Sequence, residues 1–213
     1  MSRSNSNPKS ETMETWGKVA RRMRVPLGFA TATLYLFELW RHEPKLAAIA
    51  WSLALVVPGL WLRGYAAGYV KKNRELTQTG PYAYVRNPLY LGSILIAAGF
   101  AVALLSWAVG LALAGMFLLI YVPVIASEER FLRATFPQFE NYSRRVPRLI
   151  PRLTPAGSPA STGNGENSEV TSGNFAFALY LQHREYNASI GAMLLYLSLL
   201  LLHPTLSWLG YAR

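Results

Sequence analysis

Thirteen residues, GPYAYVRNPLYLG at positions 80–92, gather three tyrosines, an arginine, an asparagine and two prolines. A loop between two apolar runs needs far less. Further along, Glu128 and Glu129 open the stretch EERFLRATFPQFENYSRRVPRLIP. These residue types suit a ligand of mixed charge. Carboxylates accept hydrogen bonds from sugar hydroxyls and balance a positive centre. Arginine and backbone N–H groups hold a ligand carboxylate. Tyrosine faces contact an adenine ring or a sulfonium by cation–π attraction. Pro81 and Pro88 fix the backbone, and Gly80 and Gly92 let it turn or pack closely. The pieces fit a nucleotide-like cofactor without identifying one.

Each feature also has a plainer use. Arginine and tyrosine beside a membrane helix commonly serve as interfacial anchors. Glu129 is spaced to pair with Arg133 on a helix. The arginines of 144–152 suit a lipid-facing surface, and VPRLIP reads as a stiff extended segment. Arg63, inside an apolar run, either snorkels to the nearby end or contacts a buried anion.

The elements that must position these residues are apolar runs. Of the 213 residues, 52% are hydrophobic and 15% charged, against about 25% charged in ordinary soluble domains. The net charge of +10 sits beside the apolar runs, which favours an anionic membrane surface over nucleic acid. There is no cysteine, and His42, His183 and His203 lack metal-ligand spacing, so no metal is expected. The runs are Val25–Trp40, Leu46–Val70, Leu89–Leu105, Trp107–Ala126 and Ala188–Leu202. Pro58 and Pro123 should bend two of them. Gly64 and Gly68 give a GxxxG spacing for close helix contact. Ser106 is the one polar residue between runs three and four, so these should form a tight antiparallel hairpin.

This predicts an all-α integral membrane protein with about five transmembrane helices. Residues 1–24 form a polar tail and a basic interfacial helix, 25–153 the membrane core, 154–173 a flexible linker, and 174–213 an amphipathic helix plus a last membrane helix. The first 24 residues are polar and lack a small-residue cleavage site, so the first run should stay as an anchor. Lys and Arg number six in residues 1–24, two after run one, four after run two, none after run three and six in residues 128–152. By the positive-inside rule the N-terminus and both polar motifs face the cytoplasm, as expected of a bacterial inner-membrane protein. The hairpin then brings Glu128 and Glu129, at the end of its second helix, beside Tyr90 at the start of its first.

The combined pattern resembles the isoprenylcysteine carboxyl methyltransferase and phospholipid methyltransferase superfamily. Its motif is roughly GPY-x-x-x-R-H-P-x-Y, a membrane hairpin, then E-E-x-x-L, a Phe-Gly pair, a Tyr and V-P-R. The likeness covers residues 70–152, and REYNASIG is similar to bacterial members. The resemblance implies methyl transfer from S-adenosylmethionine to an amphipathic or lipid-like acceptor, in a cytoplasmic pocket at the bilayer. It implies cofactor contacts from Arg74, Glu75, Leu76, Thr77, Tyr82, Arg86, Asn87, Pro88, Leu89, Tyr90, Glu128 and Glu129. Glu128, Glu129 and Tyr90 are the candidate catalytic groups. Two residues depart from the pattern: Asn87 replaces the common His and cannot act as a base near neutral pH, and Pro137 replaces a common Gly. Two other readings stand beside this one: an NADPH-dependent reductase related to sterol reductases, and a non-catalytic membrane protein whose motif pins the hairpin.

Overall fold

The computed structural model describes residues 8–70, 75–156 and 174–208. Over these residues the chain forms seven helices, one short 3-10 turn at Gly80–Ala83, and no strand. The helices are α1 (Pro8–Arg41), α2 (Leu46–Ala67), α3 (Pro88–Leu104), α4 (Trp107–Thr135), α5 (Phe139–Arg145), α6 (Phe177–Gln182) and α7 (Tyr186–Trp208).

Two of these, α2 with 22 residues and α4 with 29, are long and apolar enough to cross a membrane. The apolar α3 and residues 186–202 of α7 are shorter. Trp51, Trp61, Leu111, Leu118, Leu119, Leu194 and Leu201 are exposed, while Ser52, Ser106 and Glu129 are buried. A water-facing surface rarely carries so many large apolar side chains, whereas lipid solvates them. The chain is therefore read as a membrane protein.

Several boundaries differ from the sequence reading. Pro8 occupies the first position of α1, where its missing N–H costs nothing. One helix then runs to Arg41, with no break between the expected tail and the first apolar run. α4 continues past Ala126 to Thr135, so Glu128 and Glu129 lie within it rather than at its end. Pro123 cannot donate to a carbonyl one turn back, and its ring crowds that turn. A π turn at Phe117–Tyr121, just before it, widens the helix there. α7 continues past Leu202, the end of the last apolar run, and carries Pro204 inside it. The amphipathic stretch at 174–187 is broken: α6 ends at Gln182, and Arg184 takes a left-handed conformation (φ 54°) before α7 begins. Most of the expected linker, residues 157–173, lies outside the described residues.

The chain divides into two compact units. The first comprises Met1–Ser52, Ala97–Phe131 and Leu197–Arg213. Here α3 gives way to α4 through Leu105, a non-glycine residue at φ 51°, and Ser106. The Ser106 hydroxyl accepts from the Val109 N–H (3.3 Å) and donates to Glu38 Oε2 (2.8 Å). One side chain thus caps α4 and ties it to α1, satisfying a carboxylate that is mostly hidden from solvent. The Tyr35 and Ser198 hydroxyls are 2.9 Å apart.

The second unit comprises Leu53–Ile96 and Leu132–Tyr196. In it α2 and α3 approach closely at Gly59 and Gly92. A Cβ added at Gly59 would lie 2.8 Å from the Gly92 carbonyl oxygen, and one at Gly92 would lie 2.7 Å from the Gly59 oxygen. The GxxxG glycines have another use. Gly64 faces the Tyr180 ring and Gly68 faces the Phe175 ring, so aromatic side chains fill the grooves they leave.

Candidate functional site

The second unit holds most of the residues marked out by the sequence. Its floor is the last turn of α2. Tyr65 and Tyr69 meet edge to face, with centroids 5.1 Å apart, and Phe175 stacks on Tyr65. The Thr77 hydroxyl donates to the Tyr69 carbonyl at 3.4 Å. Gly80 then turns the chain at φ 59° with the Tyr69 ring against it; a Cβ there would come within 2.6 Å of that ring. Only glycine meets both conditions.

From this turn the segment Tyr82–Asn87 is tied down by backbone groups. Tyr82 is buried, and its carbonyl accepts from the Tyr142 hydroxyl at 2.8 Å. Residues 147–156 strap across the same segment. The N–H of Arg86 donates to Pro147 (2.9 Å) and that of Asn87 to Arg148 (3.2 Å). The N–H of Arg152 donates to Tyr84 (3.0 Å) and that of Ala156 to Ala83 (2.9 Å). Pro147 and Pro151 favour extended backbone in the residues before them, which leaves this strap's groups available for such pairing. Asn87 adds its side-chain amide, donating to the Arg148 carbonyl at 3.3 Å. The residue that departs from the common His therefore holds the strap.

Beneath the strap is an apolar cluster of Phe139, Tyr142 and Val146, with Leu76, Leu132, Phe136 and Ala156 packed against it. Leu76, implied as a cofactor contact, is thus also a core residue. Arg145 donates to the Gln78 side chain at 3.5 Å, and Arg152 donates to the Arg145 carbonyl at 2.6 Å. These two arginines, expected to face lipid, brace the motif. Arg133, which the spacing offered to Glu129, forms an ion pair with Glu140 at 3.0 Å.

Glu75, Thr77, Arg86, Leu89 and Tyr90 are half-buried, and Pro88 is fully buried. Arg74 lies outside the described residues. Glu128 and Glu129 belong to the first unit, where Glu129 is buried and Glu128 exposed. Adjacent helical positions point about 100° apart, which separates the two carboxylates. Arg63 forms an ion pair with Glu185 at 2.8 Å, so the anion it meets is the chain's own.

Tyr142 stands in the sequence only as the tyrosine of the motif and Glu185 only within REYNASIG, with no partner marked for either. The spacing of Phe139, Tyr142 and Val146 is a helical stripe that could have exposed the first of them. Nothing local marks Glu185 as the partner of Arg63.

A helical membrane protein that carries two long apolar helices and a braced polar segment is the class these features define. Residues 46–138 match the family described as phospholipid methyltransferase, which shows the resemblance for that segment. The chain is similar to the cobalt-zinc-cadmium resistance protein CzcN of Cupriavidus metallidurans, with 41% identity over 102 residues (48% of this chain, 46% of the relative). It is also similar to the nickel-cobalt-cadmium resistance protein NccN of Alcaligenes xylosoxydans xylosoxydans, with 39% identity over 88 residues (41% of this chain, 40% of the relative). The match thus covers less than half the length of each of these relatives. No solved structure matches.

Proposed function

We propose that the chain is an S-adenosylmethionine-dependent methyltransferase acting on an amphipathic or lipid-like acceptor at the cytoplasmic face of the membrane. The observation that carries this reading is the match of residues 46–138 to the phospholipid methyltransferase family, a span that includes the braced motif. The residues present fit the cofactor in kind. Glu75 suits ribose hydroxyls, the Arg86 side chain suits a carboxylate, and Tyr90 suits an adenine or sulfonium face. Asn87 supplies a backbone held by the strap, Tyr82 one held by the Tyr142 hydroxyl, and Pro88 and Leu89 follow at the start of α3. The motif resemblance adds Arg74, Leu76, Thr77 and either Glu128 or Glu129.

When bound, S-adenosylmethionine supplies an electrophilic methyl group: the acceptor's lone pair takes the methyl carbon while the S–C bond breaks and its electron pair stays on sulfur. The chain's own part is positioning and exclusion of water. A carboxylate acceptor has no proton to lose. An amine acceptor loses one, and Glu128, Glu129 or Tyr90 are the groups offered to receive it. We take the membrane core to be about five spans, with α3 and α4 as the antiparallel hairpin and the N-terminus inside. The relatives' names add a setting, in which the methylated component alters tolerance to divalent metals.

The test is binding of radiolabelled S-adenosylmethionine to purified protein in nanodiscs, with NADPH as control. Saturable binding of the methyl donor alone supports the reading. Binding of NADPH alone points to a reductase, and binding of neither points to a non-catalytic role.

A further inference from the structure

The Arg63 guanidinium joins three separate segments of the second unit. Its Nε donates to Glu185 Oε2 at 3.0 Å and its Nη2 donates to Oε1 at 3.1 Å, a bidentate fork. Its Nη1 donates to the Leu89 carbonyl at 3.3 Å and to the Ser93 hydroxyl. The Ser93 hydroxyl in turn donates to the same Leu89 carbonyl at 3.0 Å. Both faces of the fork are committed within the chain, which makes Arg63 a poor ligand contact and a good brace.

What it braces is the first turn of α3. Leu89 and Tyr90 stand there, directly after Asn87 and Pro88. The stem of Arg63 lies against Gly92, where an added Cβ would come within 2.6 Å of Arg63 Cγ. Glu185 is delivered by the left-handed turn at Arg184, and the other end of its segment is fixed by the Ala176 N–H on the Gly68 carbonyl at 2.9 Å. Both members of the ion pair are mostly buried, with side chains 24% and 11% exposed. In that setting a neutralised partner leaves the other charge poorly compensated.

We propose that Arg63 and Glu185 form a positioning clamp that fixes the first turn of α3 and thereby sets the affinity for the methyl donor. The second half of this statement rests on the reading under Proposed function. Hydrogen–deuterium exchange of full-length protein in nanodiscs tests the first half without cofactor. Glu185→Gln should speed exchange in the peptide covering residues 86–93. Unchanged exchange there overturns the clamp.

Labelled S-adenosylmethionine tests the second half. If Glu185→Gln leaves the competent turn about a tenth populated, the apparent Kd rises about tenfold. Arg63→Lys keeps the charge but loses the fork, so its Kd rises as well. The exchanged pair Arg63→Glu with Glu185→Arg restores an ion pair but puts no guanidinium on Leu89. It should recover the melting temperature and not the affinity; recovery of both would assign the pair a merely structural role and overturn positioning. Wild-type protein that binds donor while Glu185→Gln binds it equally well also overturns the proposal. Wild-type protein that binds none refutes the functional reading and, with it, the donor half of the clamp.

Discussion

Replacing Tyr142 by Phe removes one oxygen and leaves the ring in place. That oxygen donates to the Tyr82 carbonyl at 2.8 Å, between two residues that are 3% and 8% exposed. Without it, a buried acceptor in the motif loses a partner, at a cost of about 1–3 kcal/mol. The ring still fills the cluster with Phe139 and Val146, so no cavity adds to this. For a chain of this size each kcal/mol lowers the melting temperature by about 2–4 °C. The expected result in detergent is therefore a fall of about 2–12 °C, together with faster amide exchange in residues 82–87. Tyr142→Ala is the comparison. It removes the ring as well and should cost about 3–5 kcal/mol, as other large aromatic truncations do. If Tyr142→Phe melts and exchanges like the wild type, the brace on Tyr82 contributes nothing and the account of the motif's rigidity fails.

Three further outcomes follow from particular contacts. Gly92→Ala forces a Cβ to within 2.7 Å of the Gly59 carbonyl oxygen, which is backbone and cannot turn away. It should cost about 1–3 kcal/mol, read by thermal melting, whereas Gly115→Ala, in open space within a helix, should hold or raise the melting temperature. Leu105→Gly relieves a left-handed residue whose side chain is 62% exposed, and should hold or raise the melting temperature, while Leu105→Val should cost about 1 kcal/mol or more of stability and lower it. Tyr90→Ala should weaken binding of S-adenosylmethionine about fivefold or more in protein that still melts cooperatively, and equal affinity would remove Tyr90 from the site.

The helices were legible because runs such as Leu46–Val70 and Trp107–Ala126 carry their signal in composition alone. Their ends were harder. Hydropathy falls at Glu128, but the helix does not, because Glu, Arg and Leu between 128 and 135 are good helix formers. The reverse error came at 174–187, where amphipathic spacing suggested one helix and Arg184 broke it. The GPYAYVRNPLY segment was legible as special, and VPRLIP as extended. Their pairing was not, since backbone bonds between residues some sixty positions apart leave no local pattern. Arg63 shows the same limit. An arginine in an apolar run announces that it needs an anion, and the sequence cannot say that Glu185, 122 residues away, is the one that answers.

The central claim is that the braced motif belongs to a methyl-donor site. Equilibrium binding of radiolabelled S-adenosylmethionine to purified full-length protein, competed by unlabelled donor and by NADPH, tests it most directly. The account predicts saturable binding that unlabelled donor displaces and NADPH does not. Absence of saturable binding by protein that melts cooperatively, or displacement by NADPH, would contradict it.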